Sequence, residues 1–83
     1  MNDPIHQDSH QDSLRQRLAA NARAGRRHAR LTLKLASSAA QMHWRHWQKI
    51  EAAEVNVTLD TLTRVGKALG IDPGRLLVEP QAA

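Results

Sequence analysis

The chain has 83 residues, which is room for one small domain and one site. It contains no cysteine, so neither disulfides nor thiolate metal sites hold it together, and apolar packing must supply the core. The net charge of +4 is unevenly distributed: Asp3, Asp8 and Asp12 are the ionisable acids of the first dozen residues, whereas Arg15, Arg17, Arg23, Arg26, Arg27, Arg30 and Lys34 follow without an acid among them. Such a block is either a solvated helix face or a surface for a polyanion, and it takes a partner motif to decide.

Taken in chain order, residues 1–12 lack an apolar period and are rich in Gln, Asp, Ser and His, which predicts a disordered polar tail. The tail does not resemble a signal peptide, and no stretch approaches a membrane span, so a soluble, cytoplasmic protein is expected. The run SLRQRLAANARAGRRHARL from Ser13 is made of strong helix formers, with Gly25 its weak point, and predicts a helix over about residues 14–29. Thr32 is positioned to cap a second, short helix reaching Ala40, and Gln41 and Met42 form a turn into a third that carries HWRHWQKIE.

The segment AAEVNV reads as a loop. Thr58 then caps a helix with Leu59, Leu62, Val65, Ala68 and Leu69 on one face, closed by Gly70. Asp72 and Pro73 predict a last short helix containing Leu76 and Leu77. The expectation is an all-α, five-helix domain over residues 13–79, followed by a short tail at 80–83.

In the third helix, Trp47 and Ile50 are three apart and share a face, which predicts Trp47 in the core and Trp44 on the surface. Arg45, Gln48 and Lys49 then give the free face the donors that suit a major groove, next to a basic block that suits phosphates. His43 and His46 have the spacing of a metal pair, but no third ligand lies nearby in the sequence, and no metal or other cofactor is expected. With no paired carboxylate, no nucleophile beside a base and no glycine-rich phosphate loop, an enzyme is not expected either.

The segments LTLKLASSAAQMHWRHWQKIE and EVNVTLDTLTRVGKALGID together resemble the phage repressor and Cro-type helix-turn-helix family, over about residues 14–78. Leu31-Thr32, Ile50-Glu51, Asn56, Thr58-Leu59, Leu62 and Leu69-Gly70 match that family's pattern in order and without gaps. The resemblance implies a sequence-specific DNA-binding regulator, a repressor acting as a homodimer on double-stranded DNA. It implies DNA contacts from Thr32, His43, Trp44, Arg45, Gln48, Lys49 and Asn56, and a structural ion pair between Arg26 and Glu51. Ile71, Leu76, Leu77 and Val78 are the expected dimer surface. The alternative is a protein-interaction module, or an antitoxin-like partner, on the same fold.

The chain also departs from the family. Without gaps, Ala36 and Ser37 stand where the family has Leu and Ala, Leu33 where it has a phosphate-contacting Gln, and Gln41 where it has the turn Gly; a rival register takes Leu35-Ala36 as the Leu-Ala pair. The ungapped register is preferred, because a small Ala36 opposite an oversized Trp47 conserves volume. Ala53 replaces the usual Gly after the third helix, and Gly25 an apolar residue of the first.

Overall fold

The computed structural model describes the backbone of residues 4–80 and the side chains of residues 13–80. Among these residues the elements are helices α1 (Pro4–His28), α2 (Leu33–Ala39), α3 (Trp44–Glu51) and α4 (Leu59–Leu69), then a 3-10 turn at Pro73–Leu77, and there is no strand. The all-α reading holds, but the expected fifth helix is only that turn. Asp72 caps it by accepting from the Gly74 amide, with Pro73 at its start, and its five residues are too few to settle into α geometry. None of the described helices is long and apolar enough to cross a membrane.

α1 begins earlier than the sequence predicts. The segment read as a tail is helical from Pro4 onward. Proline is well tolerated in a first helical turn, and no glycine lies between it and Gly25. Adding residues to an existing helix needs no new nucleus, so a segment without apolar period can still extend one.

All four helices end in the same way. Arg30, Gln41, Ala53 and Gly70 have φ of 59°, 57°, 60° and 68°. At each end, the amide of the following residue bonds a carbonyl five residues back: Leu31 to Arg26 at 3.0 Å, Met42 to Ser37 at 3.0 Å, Glu54 to Lys49 at 3.0 Å and Ile71 to Gly66 at 2.9 Å. These are Schellman closures, which satisfy carbonyls that a helix end leaves open. Only Gly70 suits a left-handed conformation without strain; each of the other three carries a Cβ there at about 1 kcal/mol.

The helix starts are capped by side chains. The Thr32 hydroxyl accepts from the Leu35 amide at 3.1 Å, the His43 Nδ1 from the Arg45 amide at 3.1 Å, and the Thr58 hydroxyl from the Thr61 amide at 3.0 Å. Thr32 and Thr58 cap where the sequence predicts, and His43 precedes α3 rather than belonging to it.

The core joins Leu18 and Ala22 of α1, Ala36 and Ala40 flanking α2, Trp47 and Ile50 of α3, Leu62 and Val65 of α4, and Leu76 of the C-terminal turn. Trp47 is completely buried. Ala36 and Ser37 are buried and Leu35 is 57% exposed, which is the inward face of the ungapped register. Gly25 is where α1 closes on the end of α4, since a Cβ there would lie 2.7 Å from Ile71 Cδ1 and 3.2 Å from Leu69 Cδ1. The expected dimer surface needs correction: Leu76 is core, Ile71 and Leu77 are half-buried against it, and of the four only Val78 is exposed. A turn this short must face its one apolar anchor inward to hold its place.

Trp47→Ala is therefore expected to lower stability by about 3 to 5 kcal/mol, whereas Trp44→Ala leaves it nearly unchanged. Urea melts of the two variants test this, and equal midpoints would contradict the assigned roll of α3. In the opposite direction, Ala53→Gly relieves a left-handed Cβ and is expected to stabilise by about 1 kcal/mol. A loss of stability in the same melts would show that the closure of α3 is not strained.

Candidate nucleic-acid interface

At about 100° per residue, α3 divides into two sides. Trp47, Ile50 and Glu51 turn inward and are buried, while Arg45, Gln48 and Lys49 form the opposite, exposed side. Trp44 and His46 fall on the flanks and are half-buried. The exposed side carries no acid.

The roll of α3 is set by Glu51. Arg26 holds its carboxylate through two parallel bonds, from Nε to Oε2 at 2.6 Å and from Nη2 to Oε1 at 3.0 Å. Trp47 Nε1, one helical turn earlier, donates to the same Oε2 at 2.5 Å. Arg23 adds a bond from Nη2 to the Glu51 carbonyl at 3.2 Å, and its Nε lies 3.6 Å from Oε1. Arg26 also donates through Nη1 to the Leu31 carbonyl at 3.0 Å, so one guanidinium ties α1, the α1–α2 connection and α3 together. Two arginines at the end of α3 also complement the negative end of its backbone dipole.

Burial pushes the Glu51 carboxyl up, but the bonds from Arg26 and Trp47 and the charges of Arg26 and Arg23 outweigh it, and the group is held below the ordinary glutamate range. The same pairing raises Arg26 and keeps it charged.

The remaining candidate residues occupy separate places. Thr32 lies at the start of α2 and His43 at the start of α3, each with its side chain committed to a cap. Asn56, in the connection between α3 and α4, accepts through Oδ1 from Arg15 Nη1, which couples that connection to α1. Arg27, Arg30 and Lys34 are exposed, and none has an acid partner among the described residues. His43 and His46 do not join a third ligand, and no group of three metal-binding side chains occurs among the described residues.

Several structural contacts were not legible from patterns. Arg64 of α4 donates from Nη1 to the Gln41 carbonyl at 2.8 Å, and its Nε lies 3.2 Å from Asp60, so it supports the turn between α2 and α3. Asn21 of α1 donates to the carbonyls of Leu76 and Val78 at 2.9 and 2.8 Å, which fastens the C-terminal turn. The bond between Trp47 and Glu51 and the Asp60–Arg64 pair did have a signal, since residues four apart meet along a helix.

An apolar groove of 270 Å³ lies between α1, the α3–α4 connection and α4, lined among others by Leu14, Leu18, Val55, Val57 and Leu62. Leu59 stands at its rim, 81% exposed. No protein-family model, curated protein or solved structure matches the chain.

The Glu51 cluster gives the fold a defined pH response. A carboxyl lowered in the folded state contributes stability that is full above its unfolded value of about 4.3 and is lost as pH falls through the folded value. Glu51→Gln is expected to lower stability near neutral pH by about 3 kcal/mol, because Arg26 loses its buried anion. It should also make the decline in stability toward acid shallower than in the parent. Identical acid limbs for both proteins would remove Glu51 from this role.

Proposed function

We propose that the protein is a sequence-specific, DNA-binding transcriptional regulator that sets the exposed side of α3 into the major groove, acting in the cytoplasm as a homodimeric repressor. The observation carrying this reading is the division of α3 into a fixed inner face and an outer face of Arg45, Gln48 and Lys49 without an acid. A reading helix needs this combination of donors aimed outward and a roll held rigidly from behind.

In this reading Arg45 is the main base-reading group, because its planar fork matches both acceptors of a guanine edge, while Lys49 supplies a flexible point charge. His43, Trp44 and Gln48 extend the contact along the groove. The Thr32 hydroxyl keeps a hydrogen to donate beyond its cap, and the Asn56 amide keeps both of its hydrogens while its oxygen serves Arg15; each suits a phosphate oxygen. Arg27, Arg30 and Lys34 supply the charge that attracts the duplex irrespective of sequence.

A second reading has its own observation. The groove beside Leu14 and Leu59 leaves apolar surface open, which favours a protein-interaction module or an antitoxin-like partner.

Gel shifts on duplex DNA at a series of salt concentrations separate the two readings. Binding is expected to weaken steeply with salt, each phosphate contact contributing about 0.9 to the log-log slope. A flat dependence, or no binding to any duplex at low salt, contradicts the DNA reading and favours the protein-binding one.

A further inference from the structure

Three groups at the start of α3 meet in the free protein. The His43 imidazole lies on the Trp44 indole with ring centroids 5.7 Å apart and planes 27° from parallel. On the same indole, the guanidinium carbon of Arg45 lies 5.4 Å from the ring centroid. Arg45 is exposed, and no acid among the described residues pairs with it.

This arrangement constrains what Arg45 can recognise. A guanidinium donates only in its plane, and its two faces are weakly hydrated and favour flat or apolar surfaces. Laid flat on the indole over which its carbon sits, the guanidinium keeps its in-plane fork and its second face for a partner. When the fork takes the two acceptors of a guanine, the guanidinium lies roughly level with that base pair. The C5 position of the pyrimidine on the 5′ side then projects into the major groove beside the second face. A methyl group there covers the face that the indole does not, whereas a hydrogen leaves it to water.

Resting on the reading of α3 as the base-reading helix, we infer that the Trp44–Arg45 pair recognises a 5-methylpyrimidine followed by guanine, that is, a TpG step or a methylated CpG step. Arg45 makes the contacts to guanine and methyl, and Trp44 is its positioning residue, holding the guanidinium over its ring and reducing the freedom it loses on binding.

The test starts with binding-site selection from a randomised duplex pool, using the parent protein and Arg45→Ala, to locate the guanine whose selection depends on Arg45. Four duplexes then carry thymine, uracil, 5-methylcytosine or cytosine at the preceding pyrimidine, compared at one salt concentration. Burial of one methyl corresponds to about a fourfold gain in affinity. Thymine over uracil and 5-methylcytosine over cytosine are each expected to show that gain, since the members of each pair differ only in the methyl. Trp44→Ala is expected to remain folded but to lose the gain in both pairs, and Trp44→Phe to keep part of it.

Equal affinities within both pairs, on a site that still requires Arg45 for its guanine, overturn the methyl inference and leave the DNA reading standing. Failure to select any duplex overturns both. A full methyl gain in Trp44→Ala removes Trp44 from the positioning role.

Discussion

One buried carboxylate organises this protein. Glu51 is reached by two arginines from α1 and by the indole of Trp47 from its own helix. A charge taken out of water is tolerable only when its lone pairs are filled and an opposite charge is close, and both conditions are met here. The consequence is geometric as much as energetic. A helix of eight residues has little grip on a core of its own, and apolar packing alone tolerates some rotation of it. A bidentate pair at its last residue, together with a tryptophan bonded to that residue from the turn before, allows one roll only.

That constraint links the interior to the surface. With Trp47 and Glu51 directed inward, Arg45, Gln48 and Lys49 must face outward, and Trp44 must lie at the boundary, where it meets His43 and Arg45. The connections are controlled in a similar way from outside α3. Arg64 holds the turn before it through the Gln41 carbonyl, and Arg15 holds the connection after it through Asn56. Cations of a basic chain thus serve two purposes. Arg23, Arg26 and Arg64 are spent on carbonyls and carboxylates within the fold, and Arg27, Arg30, Lys34, Arg45 and Lys49 remain on the surface, which is the charge distribution the proposed function needs.

Much of this was legible in the sequence where a residue type has one strong local use. Thr32, Thr58 and Asp72 announce helix starts, Gly70 a helix end, and the spacing of Trp47 and Ile50 an inward face. The helix ends at Arg30, Gln41 and Ala53 were harder to read, because they close left-handed without the glycine that normally marks such a position. The N-terminal extension of α1 carries no apolar pattern, so periodicity could not mark it. In the sequence, aspartate, proline and paired leucines at the C-terminal turn suit a helix and a dimer surface alike; the anchoring of the turn by Asn21 depends on bonds more than fifty residues apart in sequence, and Leu76 is buried in the core. For the candidate site, residue types indicated the chemistry of α3, whereas the contacts of Trp44 with His43 and Arg45 depend on rotamers that no sequence pattern encodes.

Residue-resolved NMR titration of the protein with a selected duplex tests whether the outer side of α3 is the surface that meets DNA, as proposed. The amide and side-chain signals of Trp44, Arg45, Gln48 and Lys49 are expected to shift most, together with those of Thr32 and Asn56, while the Trp47 indole signal stays nearly in place. Shifts concentrated around Leu14, Val55 and Leu59, with the signals of α3 unmoved, would contradict the proposal.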